Sequence, residues 1–235
     1  MFKNNIAFKP KLIWMIFILL VATAFIPPNS KKVLFFGDSI TYNGTSWEGA
    51  YINLISRYAK ESGISDAEFI GSGVPGDRVT DLYLRMEKDV LSQNPDIVVI
   101  FIGVNDIWHK ILSGTGTDYK KFGLFYDALV KRLQNQNIQV MLCTPSTIGE
   151  KKDFTNECDG DLNKYSQWIR NYAVENNIPL VDLRKAFLDY EVKNNTENKE
   201  KGVLTADGVH LKPEGSKLVA NEMWKKLKEV INNKH

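Results

Sequence analysis

Three side chains in this sequence are suited to nucleophilic chemistry: a serine, and a histidine with an aspartate beside it. Ser39 follows a short apolar run within Gly37-Asp38-Ser39-Ile40, and Asp207 lies three residues before His210. A serine becomes a nucleophile when a histidine accepts its proton and an acidic group holds the imidazole in the correct tautomer. The alternatives are that Ser39 caps a helix and that Asp207 forms a tight turn beside a surface histidine.

Histidine is scarce enough for the base to be chosen by elimination. The sequence contains His109, His210 and His235, and the last of these is its final residue. His109 follows Trp108 and is expected to line a pocket. His210 has a carboxylate within reach of its ring, so it is the predicted general base.

The elements that must position these groups alternate along the chain. Short apolar runs predict strands at residues 33–36, 67–70, 96–102, 138–143 and 178–181. Apolar residues at helical spacing predict helices within residues 47–60, 79–90, 122–133, 162–172 and 213–231. This alternation predicts a single α/β domain with a doubly wound, flavodoxin-like sheet of about five parallel strands and helices on both faces. Ser39, the loop Gly73–Gly76 and Asn105 each follow a strand, so we expect them at one sheet edge.

The first 24 residues have the pattern of a signal peptide. Three lysines precede the apolar segment Leu12–Val21, and Ala22-Thr23-Ala24 suits signal peptidase. The 15 residues from Leu12 to Ile26 are short for a membrane span, which makes an uncleaved anchor the less favoured alternative. We therefore predict a signal peptide at residues 1–24, a catalytic domain at residues 25–235, and export to the periplasm or the extracellular space.

Charge and cysteine content limit the classes of partner. Without the three lysines of residues 1–24, the chain has 27 basic and 28 acidic residues, which gives no electrostatic reason to bind nucleic acid. A membrane contact is expected only through the N-terminal segment, if that segment is not cleaved. Export would permit a disulfide between Cys143 and Cys158, although both could equally remain thiols. The scattered histidines and cysteines have no metal-ligand spacing, so no metal or cofactor is expected.

Four segments together resemble the four blocks of the SGNH (GDSL-type) hydrolases, in order and with fitting spacing. They are Gly37–Ile40, Gly73–Gly76, Gly103–Asp106 and Asp207–His210, and the resemblance spans about residues 32–230. Two positions depart from the family pattern. Ile40 stands where leucine is usual, and Gly71 stands where many members have asparagine.

The resemblance implies a role for each matching residue. Ser39 would be the nucleophile, His210 the base and Asp207 the group that orients the base. The backbone amides of Ser39 and Gly76 and the side-chain amide of Asn105 would form the oxyanion hole. The candidate substrate-binding residues are Asp38, Trp47, Trp108 and His109.

The implied function is that of an exported serine esterase that forms an acyl-enzyme intermediate. An uncharged site with an aromatic rim favours O-acetyl groups on carbohydrate as the substrate. A lysophospholipase or a short-chain carboxylesterase is the alternative within the same class. The expected partner is therefore a small-molecule or glycan ester.

Two readings from other classes compete with an esterase. Gly71–Gly76 matches the dinucleotide fingerprint G-x-G-x-x-G, but it follows the second strand, and Pro75 interrupts the turn that should open a helix. A non-catalytic protein of the same fold could bind carbohydrate or lipid by stacking on Tyr42, Trp47 and Trp108. The complete set of nucleophile, base, orienting acid and amide argues against this second reading.

Overall fold

The computed structural model describes residues 31–232 of the chain. The predicted signal peptide, residues 25–30 and the last three residues lie outside the described residues. All four segments that carry the resemblance lie inside them.

The fold is a five-stranded, wholly parallel sheet. Its strands are β1 (Lys32–Gly37), β2 (Glu68–Gly73), β3 (Ile97–Phe101), β4 (Gln139–Cys143) and β5 (Leu180–Val181). Their order is β2-β1-β3-β4-β5, the flavodoxin-like order, which confirms the predicted fold class. Gly37 of β1 lies level with Gly73 of β2 and Phe101 of β3, so three strands end side by side.

Helices connect the strands along the chain. They are α1 (Ser39–Tyr42), α2 (Tyr51–Glu61), α3 (Val79–Asp89), α4 (Val104–Leu112), α5 (Tyr119–Gln134), α6 (Asp159–Glu175), α7 (Leu183–Asn194) and α8 (Pro213–Asn232). Single 3₁₀ turns lie at Asn43–Thr45 and Leu91–Gln93. Helix α2 packs against α8, and α3 packs against α5.

The two central strands form the rigid base of the candidate site. Residues 33–36 of β1 and 97–101 of β3 are apolar and at most 2% exposed. A parallel strand buried on both faces has this continuous apolar composition, because helices cover both sides of the sheet. Groups attached to the carboxyl ends of β1 and β3 therefore start from fixed backbone positions.

Three local predictions were wrong. Helix α4 was not predicted, because Gly103-Val104-Asn105-Asp106 has turn-like composition. Helix α7 was not predicted. Strand β2 continues to Gly73, so Gly71 and Gly73 lie in the strand instead of a glycine-rich loop.

The two cysteines are free thiols, so the predicted alternative of a disulfide is not realised. Cys143 is the last residue of β4, and Cys158 is buried directly before α6. Burial, together with the charge of Glu157, raises the pKa of the Cys158 thiol to about 11.

From Lys31 to Asn232, none of the helices is both long and apolar enough to cross a membrane.

Candidate active site

Ser39 lies at the start of α1, directly beyond the buried strand β1. The helix cap is Asp38, whose carboxylate accepts a hydrogen bond of 2.9 Å from the backbone N–H of Ile40. The cap predicted as the alternative role of Ser39 is therefore supplied by its neighbour. Because the Ser39 hydroxyl is not used as a cap, it is free to make the contact described next.

The Ser39 hydroxyl meets the imidazole of His210. Ser39 Oγ lies 2.9 Å from His210 Nε2, although the two residues are 171 positions apart in sequence. His210 belongs to the irregular segment between α7 and α8. The structure thus brings together the two residues that the sequence paired as nucleophile and base.

Asp207 holds the other side of the His210 ring. Its Oδ2 lies 2.7 Å from His210 Nδ1, and its Oδ1 accepts backbone hydrogen bonds from Val209 and His210 at 3.0 and 2.8 Å. Partial burial acts to raise the pKa of Asp207, but the hydrogen bonds from His210 and Val209 outweigh it and hold the pKa below the ordinary value. An ionised carboxylate at this place favours the tautomer with the proton on Nδ1, which leaves Nε2 to accept the proton of Ser39.

The glycines beyond β2 are explained by backbone geometry. A Cβ on Gly73 would collide with the backbone of Tyr42 and Asp38, so glycine lets β2 pack against α1. Gly76 has a φ of +85°, in the left-handed region that favours glycine. The segment follows an edge strand and wraps around the start of α1, which is not the setting of a dinucleotide fingerprint.

Asn105 lies in the first turn of α4, beyond the end of β3. It is 4% exposed, and its Nδ2 donates a hydrogen bond of 3.0 Å to the backbone carbonyl of Asp77. The side chain thus ties α4 to the segment that contains Gly76. A primary amide has two N–H groups, so one remains for a ligand.

Three aspartates lie beneath this edge of the sheet. Burial raises the pKa of Asp38 and of Asp106 to about 7, against the effect of backbone hydrogen bonds that lower it. Burial also raises the pKa of Asp77, although Arg85 opposes this. Asp38 is 2% exposed and faces its own helix, which leaves little surface for the predicted contact with substrate. No three metal-ligating side chains in residues 31–232 are placed to hold an ion.

Arg85 is a residue that the sequence reasoning missed. Its guanidinium donates to the carbonyl of Gly37 (2.8 Å), to the carboxylate of Asp77 (2.6 Å) and to Ser72, and it stacks 4.4 Å from the Phe36 ring centre. It therefore joins the end of β1 to the segment after β2. The sequence signal that could have found Arg85 is its position. It lies three residues after Leu82, so it shares the helix face that is predicted to pack on the core.

The remaining candidate substrate-binding residues lie at different places around the edge. Trp108 is half-buried and lines a cavity of about 220 Å³ together with Ile111, Asn156, Glu157, Glu200 and Asp207. The three carboxylates in this wall correct the prediction of an uncharged site. His109 lies beside Gly76, and burial, with a contribution from Arg78, lowers its pKa. Trp47 is 41% exposed in the turn before α2 and does not line that cavity.

Comparisons with known proteins show which family and which structures the chain is similar to. Residues 35–218 match the model of the GDSL-like lipase/acylhydrolase family. The chain is 28% identical over 178 residues to an acetylxylan esterase of Geobacillus stearothermophilus, covering 68% of this chain and 78% of that protein. It is 24% identical over 230 residues to the uncharacterized lipoprotein YqeF of Bacillus subtilis (strain 168), covering 87% and 93%. The crystal structure of an acetyl xylan esterase, AlAXEase, is similar with a TM-score of 0.80 and 57% identity, covering 83% of this chain and 98% of that one.

Proposed function

This chain belongs to the GDSL-like lipase/acylhydrolase family, the SGNH hydrolases that act on esters, and from that premise we propose that it removes O-acetyl groups from carbohydrate. The observation that carries the proposal is the continuous hydrogen-bonded series from Ser39 Oγ through His210 to Asp207, with distances of 2.9 and 2.7 Å. This series has the geometry of an activated nucleophile.

The proposed reaction has two halves. His210 Nε2 takes the proton of Ser39 as Oγ bonds to the acetyl carbonyl carbon, and the same ring then protonates the departing sugar oxygen. The ester C–O bond breaks, and acetyl-Ser39 remains. Water, deprotonated by His210, attacks this acyl-enzyme, and acetate leaves as Ser39 recovers its proton.

The proposed oxyanion hole lies at the start of α1. The backbone N–H of Ser39 is in the first turn of a helix and has no intrahelical acceptor, so it is available to a ligand. The backbone N–H of Gly76 and the second N–H of Asn105 Nδ2 complete the set. Donors fixed in place before the reaction stabilise the negative charge that develops on the carbonyl oxygen.

Similarity and one local feature support acetylated carbohydrate as the substrate. Two of the related proteins described above are acetylxylan esterases. The cavity beside Asp207 is about 220 Å³ and has the Trp108 indole in its wall, a surface on which a sugar ring can stack. Since Trp108 and Asp207 share this cavity, a sugar bound there would lie next to one member of the proposed triad.

Export is part of the same proposal. The pattern of residues 1–24 is that of a cleaved signal peptide, and the similar YqeF is described as a lipoprotein. We expect the exported protein to begin at Phe25, because the A-x-A pattern ends at Ala24. N-terminal sequencing of the protein recovered outside the cytoplasm tests this, and a retained Met1 would contradict it.

A substrate panel tests the activity. The panel contains acetylated xylo-oligosaccharides, p-nitrophenyl esters of increasing chain length and lysophosphatidylcholine, each assayed with the native protein and with Ser39→Ala. We expect the highest kcat/KM for acetyl esters, a steady fall with chain length, and no turnover by a Ser39→Ala protein with an unchanged melting curve.

Two outcomes would reject the proposal. A preference for long acyl chains or lysophosphatidylcholine would favour a lipase-type activity instead. Glycan binding without turnover of any ester would favour the non-catalytic alternative.

A further inference from the structure

The segment that carries Asp207 and His210 needs an anchor, because it belongs to no helix or strand of the sheet. Its own backbone contacts are an isolated bridge between Thr205 and Leu211 and a hydrogen bond of 2.8 Å from Ala206 N–H to the His210 carbonyl. These contacts close the segment on itself. They do not fix where it lies relative to Ser39.

A buried glutamate on another part of the chain supplies the anchor. Glu150 is 0% exposed. Its carboxylate accepts hydrogen bonds from the backbone N–H groups of Val203 (2.7 Å), Leu204 (2.7 Å) and Thr205 (2.5 Å), and from the Thr205 hydroxyl (2.8 Å). Three of these donors meet Oε1 and one meets Oε2, so both carboxylate oxygens are hydrogen-bonded.

The connection continues from Thr205 to the catalytic residues. The Thr205 hydroxyl oxygen accepts a hydrogen bond of 3.0 Å from the N–H of Gly208, which lies between Asp207 and His210 in sequence. The carbonyl of Gly208 in turn accepts a hydrogen bond of 2.8 Å from Gly149, the residue before Glu150. Glu150 thus binds the residues that precede Asp207, and Gly149 binds Gly208 between Asp207 and His210.

Glu150 is itself held in place. Its backbone N–H donates to the carbonyl of Glu200 at 2.8 Å, and its carbonyl accepts from Asn195 Nδ2 at 2.7 Å. Asn195 is 2% exposed, and its side chain contacts Glu150 directly.

The charge of Glu150 is compensated in an unusual way. From Lys31 to Asn232, no lysine, arginine or histidine forms an ion pair with Glu150. Taking a carboxylate out of water is unfavourable unless it is paired or hydrogen-bonded. Here the hydrogen bonds come from the segment that carries the base, so the position of that segment and the burial of the Glu150 carboxylate depend on each other.

We propose that Glu150 is a positioning residue, which sets the place of His210 and Asp207 relative to Ser39. The inference rests on the proposed function, since it assigns Glu150 an effect on the reaction through those two residues. A displacement of about 1 Å at a reacting group is enough to lower a rate about 100-fold.

The variant for the test is Glu150→Gln, and the chain offers a matched control. Glutamine keeps the shape but presents an NH₂ group to the N–H of Val203, which places two donors face to face. Glu191 is also 0% exposed, and neither of its carboxylate oxygens has a hydrogen-bond partner in the described part of the chain. Glu191→Gln therefore exchanges a carboxyl group for an amide at the same burial without removing a hydrogen bond to the segment.

The experiment measures kcat and KM for p-nitrophenyl acetate in both variants, each made in the native chain and in His210→Ala. We expect Glu150→Gln to lower kcat about 10- to 100-fold with KM changed less than twofold, and Glu191→Gln to leave kcat within twofold. In the His210→Ala background, Glu150→Gln should lower the residual rate less than twofold, because the group it positions is gone.

Several results would overturn the inference. An equal loss in both backgrounds would mean that Glu150 acts on the fold in general, and an unchanged kcat would mean that it does not position the base. If Glu150→Gln does not fold, Thr205→Val removes one donor to the carboxylate in a shape-conserving way, and kcat should still fall at least threefold; no fall would reject the inference. A His210→Ala protein with native kcat would instead reject the proposed function.

Discussion

Replacing Asn105 with alanine separates a role in the reaction from a role in the fold. The change removes a side chain that is 4% exposed and that donates to the carbonyl of Asp77 at 3.0 Å. It leaves the series from Ser39 to Asp207 intact. If the second N–H of the amide stabilises the oxyanion, kcat must fall while the nucleophile stays activated.

We expect Asn105→Ala to have two separate effects, one on kcat and one on the free energy of unfolding. Loss of one oxyanion donor should lower kcat about 10²–10³-fold, or about 3–4 kcal/mol, with KM little changed because the interaction forms mainly in the transition state. The Asp77 carbonyl loses its partner at a buried position, which should lower the free energy of unfolding by about 1–3 kcal/mol.

The assay combines steady-state kinetics on an acetyl ester with urea unfolding of the same preparation. Asn105→Asp serves as the shape-matched comparison. Its carboxylate cannot donate when ionised and would lie close to the oxyanion and to the buried carboxyl groups of Asp38 and Asp106. We expect this variant to lose more activity than Asn105→Ala.

One combination of results would refute the reasoning about Asn105. A lower unfolding midpoint with kcat per folded molecule almost unchanged would mean that the amide only ties α4 to the Gly76 segment. Asn105 would then be a structural residue of the site's edge.

The remaining predictions concern four other residues. His109→Ala should leave more activity than Asp207→Asn, because Asp207 orients the base; steady-state kinetics on both variants check this, and the reverse order would reassign the histidine. Arg85→Lys should lower kcat about tenfold and destabilise the fold by about 1–3 kcal/mol, since lysine keeps the charge but loses the donors to Gly37 and Ser72. Unchanged kinetics would show that these hydrogen bonds of Arg85 are not needed for activity. Burial raises the pKa of Glu191 from 4.5 to about 8, so the folded state keeps a proton that the unfolded state releases, and stability falls as pH rises across that range. Between pH 5 and pH 8 the urea midpoint should therefore fall less in Glu191→Gln than in the native protein. An equal fall in the two proteins would contradict the raised pKa of Glu191.

The sequence predicted the parts of the fold that depend on periodicity. The five strands and the helices that pack on them have long apolar patterns, and the apolar continuity of residues 97–101 identified a central strand correctly. Helix α7 has no regular apolar stripe, because Arg184 and Glu191 occupy two of its buried positions. Helix α4 begins within Gly103–Asp106, whose composition is typical of a turn, so local composition did not predict this helix.

The sequence predicted those residues of the candidate site whose type determines their chemistry. It did not predict the residues whose role depends on their contacts. Ser39, Asp207 and His210 stood out because few side chains can fill those roles. Glu150 and Arg85 are charged residues whose importance comes from hydrogen bonds to backbone groups more than 30 positions away. No spacing rule indicates such partners, because they are set by the packing of segments that are distant in sequence.

The distance of 171 residues between Ser39 and His210 bears on when this protein becomes active during its synthesis. The nucleophile and four of the five strands are made before residue 150, but the base is added only after β5 and α7. Under the proposed mechanism, a nascent chain that ends before residue 210 holds the serine without its proposed base. Hydrolysis would then begin only once translation has passed His210.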